Sequence, residues 1–106
     1  MVLTVFRSRI RSGIEAEFNA LADEMMDIAT SMPGFISYKV FRADDGERCS
    51  IIEFETEEHL RGWREQVRHR NAQQTGRERF YAEYSLQVGV PTRESRFEAR
   101  DGQQDG

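Results

Sequence analysis

Trp63, His59, His69, Asn71, Tyr84 and a run of arginines are the side chains here with the most chemistry to offer. His59 precedes Trp63 by four residues, one helical turn, which would set imidazole and indole on the same face of one cavity. Imidazole titrates near neutral pH and can act as a general base, although a histidine in a first helical turn is commonly just a surface residue. The indole is either a wall of that cavity or plain core. Tyr84 can donate its phenolic O–H to an oxyanion, and its bland role is to satisfy a nearby carbonyl. His69 and Asn71 fall where the same helix should end, and Arg77 and Arg79 could steer an anionic substrate, their bland role being solvation. Phe6, on the first strand, is a further candidate for binding the substrate. Together these types suit binding of a planar aromatic molecule, removal of a proton and stabilisation of developing negative charge.

These residues need a scaffold, and the hydrophobic pattern supplies one. Val2 to Ile10 alternates and is rich in β-branched and aromatic residues, which predicts a strand ended by Ser12-Gly13. Ile14, Phe18, Leu21, Met25, Ile28 and Met32 step by three and four along one helical face, and Pro33-Gly34 stops that helix. Phe35 to Arg42 and Cys49 to Glu55 read as strands joined through the turn signal Asp44-Asp45-Gly46. Thr56 is a good N-cap for a second helix carrying Leu60, Trp63 and Val67 on one face. That helix should bend or break between His69 and Gly76, with a further turn at Asn71 to Gln74. Phe80 to Val90 is the last strand, with Ala82, Tyr84, Leu86 and Val88 on its buried face and Tyr81, Glu83, Ser85 and Gln87 on the other.

The order β-α-β-β-α-β predicts an α+β, ferredoxin-like domain over residues 1–90, an antiparallel sheet with both helices on one face. Residues 91–106, polar apart from Phe97, read as a tail that is disordered or exchanged with a partner subunit. Strand one is apolar on both sides, so its second face calls for cover, which the sheet of another copy provides; a homodimer is predicted.

Composition narrows the alternatives. A lone Cys49 excludes an intrachain disulfide, and with two histidines in the whole chain no spacing resembles a zinc site, so no metal is expected. No run approaches the ~18 apolar residues of a membrane span, and the first ten residues are too polar for a signal peptide, which predicts a soluble, cytoplasmic protein without a membrane partner. Net charge is −4, yet Arg61, Arg64, Arg68, Arg70, Arg77 and Arg79 crowd one segment. Aromatic residues are not interleaved with them as a stacking platform for nucleic acid requires, so no nucleic-acid partner is expected.

Met32-Pro33-Gly34-Phe35 after an amphipathic helix, a hairpin at Asp45-Gly46, Thr56-Glu57-Glu58-His59-Leu60 leading to Trp63, then His69-Arg70-Asn71-Ala72-Gln73, Gly76-Arg77 and Phe80-Tyr81 form a series. In this order, from about Val2 to Val88, the chain resembles the antibiotic biosynthesis monooxygenase family. The resemblance implies a dimeric α+β barrel with a pocket between sheet and helices in each subunit. It also implies, in some members, oxygenation of aromatic polyketides or quinols by dioxygen without metal or flavin. On that reading the substrate is a small phenolic compound, His59, Trp63 and Tyr84 are catalytic, and Phe6, His69, Asn71 and Arg77 bind substrate. The alternative is a non-catalytic dimer that holds a small ligand or haem. The polyketide-oxidising relatives tend to carry Asn where this chain has His59 and a tyrosine near His69, and haem-degrading relatives place Asn on a first strand that here offers Thr4, Phe6 and Ser8.

Overall fold

The computed structural model describes residues 1–70 and 79–100, and the side chains of 68–70 are outside that description. Four strands and two helices follow in the expected order: β1 (Val2–Ile10), α1 (Glu15–Ser31), β2 (Phe35–Arg42), β3 (Arg48–Phe54), α2 (Glu57–Arg70) and β4 (Tyr81–Gly89). The sheet is antiparallel with order β2-β3-β1-β4, which puts β1 at the centre beside β3 and leaves β4 at one edge. This is the ferredoxin-like α+β fold the sequence predicts.

Local chemistry sets the boundaries. The apolar stripe of α1 buries Phe18, Ile28 and Ala29, and its end is fixed where Met32 N–H donates to Ala29 O at 3.0 Å and Gly34 takes a φ of +80°. The β2–β3 hairpin closes through Gly46 N–H donating to Ala43 O at 3.0 Å, with Gly46 at φ +92°. Thr56 caps α2 as its sequence position suggests: its Oγ1 accepts from His59 N–H at 3.1 Å. The bend expected between His69 and Gly76 lies outside the described residues.

Alternation along the strands divides the sheet into two unlike faces. On one, Val2 and Thr4 of β1 and Ile52 and Phe54 of β3 are buried under the helices. They pack with Ile28, Ala29, Leu60 and Trp63 into the core, where the Phe54 and Trp63 rings stack at 6.0 Å and Phe35 meets Phe54 edge-on at 5.8 Å. The other face carries Leu3, Val5, Cys49 and Ile51, half-buried, with Phe41 exposed beside them. Arg7 and Arg9, on that same face, reach the hairpin as ion pairs with Glu47 and Asp45 at 2.9 and 2.8 Å.

β4 departs from the predicted alternation. Ser8 pairs with Tyr84 and Arg9 with Glu83, but Ile10 pairs with Tyr81, so one extra residue is accommodated at Ala82. This bulge turns Tyr81 to the helix-side face with Tyr84 rather than the opposite one, and the two rings lie 5.4 Å apart. Tyr84, Leu86 and Val88 face the helix side as expected but are not buried: α1 meets β4 at its start, where Phe18 packs edge-on to Tyr81 at 5.6 Å, and further along the edge strand these three are 44, 43 and 36% exposed. Residues 91–100 have no regular structure, and the Phe97 ring is exposed.

Candidate functional site

Between helices and sheet, near the β1–β4 side, lies a cavity of about 180 Å³. β1 contributes Thr4 and Phe6, β2 Tyr38, β3 Ile52, and β4 Tyr81 and Leu86, while α1 adds Met25 and α2 adds Trp63, Arg64 and Val67. Every strand and both helices thus converge on one aromatic-walled space, which alternation explains: Thr4, Phe6, Ile52 and Tyr38 all occupy helix-facing registers.

Trp63 forms its rigid wall. The indole N–H donates to Met25 O at 3.1 Å, tying α2 to α1, and Tyr38 stands edge-on to the indole at 5.9 Å. Opposite, Phe6 meets Tyr81 edge-on at 5.5 Å. These edge-to-face contacts fix the rings that wall the cavity, so its surface is largely aromatic.

Polar groups in this wall are few. Thr4 is 1% exposed, and among the described residues its buried Oγ1 has no hydrogen-bond partner. An orphaned hydroxyl costs about 1–3 kcal/mol. Burial holds the Tyr38 phenol above its ordinary pKa. Burial, and secondarily Tyr38, push Tyr81 up to about 12. Both phenols are therefore neutral donors at physiological pH. The Arg64 guanidinium is the cationic group among the described lining residues.

The Tyr81 shift has a measurable consequence. A phenol that ionises near 10 when unfolded and near 12 when folded leaves the native state holding the proton longer, so its stabilisation is complete below pH 10 and is lost between about 10 and 12. Alkaline titration at 295 nm should show tyrosinate absorbance appearing late and together with loss of near-ultraviolet dichroism. A reversible titration of all three tyrosines near pH 10 without unfolding would contradict this.

Of the sequence candidates, Trp63 and Phe6 meet in the lining of the cavity, and among the described residues His59 and Tyr84 do not line it. His59 is half-buried at the N-terminal end of α2, one turn before Trp63: its Nδ1 lies 2.9 Å from Thr56 Oγ1, and its ring packs against Gly34 instead of lining the cavity. Because Thr56 Oγ1 already accepts the His59 N–H, its own proton is free for Nδ1. The Tyr84 ring tilts over Phe6 at 5.4 Å, outside the lining residues. Nothing is described of the His69 side chain, and Asn71 and Arg77 lie outside the described residues. Thr4, Tyr38 and Tyr81 are the additions. Thr4 was detectable as a lone polar residue in an apolar alternation, whereas Tyr81 depended on the bulge.

The model of the antibiotic biosynthesis monooxygenase family matches residues 1–75. The chain belongs to this family. YqjZ, an uncharacterised protein of Bacillus subtilis (strain 168), is 24% identical over 94 residues, covering 89% of this chain and 82% of YqjZ. Among solved structures, a mutant form of SnoaB, a cofactor-independent oxygenase of Streptomyces nogalater, superposes with a TM-score of 0.73 at 17% identity, covering 88% of this chain and 94% of SnoaB. Rv0793 of Mycobacterium tuberculosis gives 0.71 at 20% identity over 90% and 98% of the two chains. A mutant form of MhuD, with two manganese protoporphyrin IX molecules per active site, gives 0.66 at 14% identity over 92% and 100%. At these identities the structural likenesses speak for the fold alone.

Proposed function

We propose that this family member is a cofactor-independent monooxygenase or quinol oxidase that oxidises a small planar phenolic compound in the cavity between Trp63, Tyr38, Phe6 and Tyr81. The observation that carries the reading is an aromatic-walled cavity between helices and sheet that every strand and both helices line. The fold shared with SnoaB, an oxygenase described as cofactor-independent, supports it by analogy.

With an anthrone as the type substrate, the balance is simple. The ring CH₂ loses a proton to give an electron-rich anion, which passes one electron to dioxygen. The radical pair joins as a carbon-bound peroxide, and loss of water leaves a quinone carbonyl, so one oxygen atom enters the product and the other leaves as water. The chain's own residues bind the rings and hold the substrate oxygen: Thr4, Tyr38 and Tyr81 donate hydrogen bonds that strengthen as its charge grows. None of the described lining residues is a carboxylate or imidazole. The proton therefore passes to water from a substrate of high intrinsic acidity, its anion favoured by these donors and by Arg64.

Dioxygen consumption against anthrones, naphthoquinols and catechols tests the proposal. Uptake above the uncatalysed rate is the expected result, and tight binding of the same compounds without uptake would select the non-catalytic ligand-binding alternative.

We also propose a homodimer, in which a second copy covers Leu3, Val5, Ile51 and Phe41 on the helix-free face. Light scattering should give twice the chain's mass, and Val5→Asp should halve it; a monomeric native chain would refute the assignment.

A further inference from the structure

Arg48, the first residue of β3, is 9% exposed, a charged side chain taken into the fold. Buried charge is costly unless a counter-charge accompanies it. Among the described residues no carboxylate pairs with Arg48. Its guanidinium lies 4.8 Å from the centre of the Phe18 ring, and directly across the β2–β3 ladder stands a second cation, Arg42. Like charges on facing positions of neighbouring strands repel. Burial, and then Arg42, make the charged state of Arg48 less favourable than usual.

Both arginines open into a cleft of about 380 Å³ between α1 and the β2–β3 edge, distinct from the aromatic cavity. Asn19 and Asp23 of α1 form the facing wall, and among the described residues Asp23 makes no ion pair with either arginine. Tyr38 borders both this cleft and the aromatic cavity.

We propose that the cleft is an anion site, in which Arg48 and Arg42 hold the oxygens of a compact oxyanion, a carboxylate or a phosphate, with the Asn19 side-chain amide at its rim. The planar guanidinium fork suits either group, and Phe18 holds the Arg48 fork from behind. An occupied site removes the repulsion between the two cations and steadies Tyr38, the shared wall of the two cavities. The anion is either free or the acid group of a molecule whose rings occupy the aromatic cavity.

Thermal unfolding at constant ionic strength, with chloride exchanged for inorganic phosphate, tests the site directly. The native chain should gain several degrees in Tm, Arg42→Met should gain less than half of that, and Arg48→Met should gain nothing. Without phosphate, Arg48→Met should be at least as stable as the native chain, since an apolar side chain of similar length replaces an uncompensated charge. Arg48→Met that responds to phosphate like the native chain, or that unfolds well below it in chloride, overturns the proposal.

A second arm separates the sources. Titrating the Trp63 fluorescence with 2-naphthoate and 2-naphthol should show naphthoate about tenfold tighter, an advantage lost in Arg48→Met, if the anion belongs to the aromatic ligand. Equal affinities together with the phosphate response assign the site to a free anion. Neither readout depends on oxygen consumption, so the site stands or falls apart from the proposed reaction.

Discussion

Gly34→Ala is expected to be among the most damaging single-methyl additions in this chain, lowering stability by about 2–5 kcal/mol. Two causes add. Gly34 sits at φ +80°, a conformation that costs a residue with a Cβ about 1–2 kcal/mol. A Cβ there also meets the His59 Cβ at 2.8 Å and the imidazole ring closer still. His59 cannot swing away freely, because Thr56 Oγ1 holds both its backbone N–H and its Nδ1. Chemical denaturation of Gly34→Ala, His59→Ala and the double variant separates the two causes. The double variant should recover the part due to overlap and keep the backbone part. Additive losses, with no recovery, would mean that the imidazole is not what Gly34 accommodates. The same contact gives His59 a structural role at the joint of α1, β2 and α2.

Thr4→Val should move stability and binding in opposite directions. Valine matches threonine in shape, and its methyl replaces the hydroxyl that has no partner among the described residues. Removing that unmet hydrogen bond should raise stability by about 1 kcal/mol, which for a domain of this size is a Tm increase of roughly 4–8 °C. A ligand that reaches Thr4 with its own oxygen loses a partner, so 2-naphthol should bind about five- to tenfold more weakly while naphthalene is unaffected. Fluorescence of Trp63, the single tryptophan and itself a wall of the cavity, reports both titrations. A destabilised Thr4→Val protein, or equal losses for both compounds, would show that Thr4 faces no ligand oxygen.

The scaffold was legible because its signals are local. The three- and four-residue spacing from Phe18 to Met32 predicts α1, Gly46 marks the hairpin, and Thr56 caps α2, each through backbone chemistry within a few residues. The site was less legible, because it depends on relations across the sheet. Spacing alone put His59 in one cavity with Trp63, but the cap at Thr56 and the close approach of Gly34 hold the imidazole at the start of α2, outside the cavity lining. Period-two reasoning sent Tyr81 to the wrong face, since a bulge changes parity without leaving a mark at Ala82. Arg48 and Arg42 lie six residues apart in sequence, and only the hairpin register reveals that they face each other. Phe6 and Trp63 were legible because an aromatic residue facing the layer between sheet and helices is core, cavity wall or both; Phe6 is wall, and Trp63 is both.

The most direct test of the central claim, that the cavity walled by Trp63 is where oxidation occurs, is dioxygen uptake by Trp63→Phe and His59→Ala beside the native chain with the same anthrone. Phenylalanine shortens the wall and removes the N–H that ties α2 to Met25 O, so uptake should fall at least tenfold in Trp63→Phe. His59→Ala, altered outside the cavity, should retain native uptake. Loss of uptake in His59→Ala with Trp63→Phe unimpaired would contradict the account and move the reaction to the first turn of α2, beside Gly34.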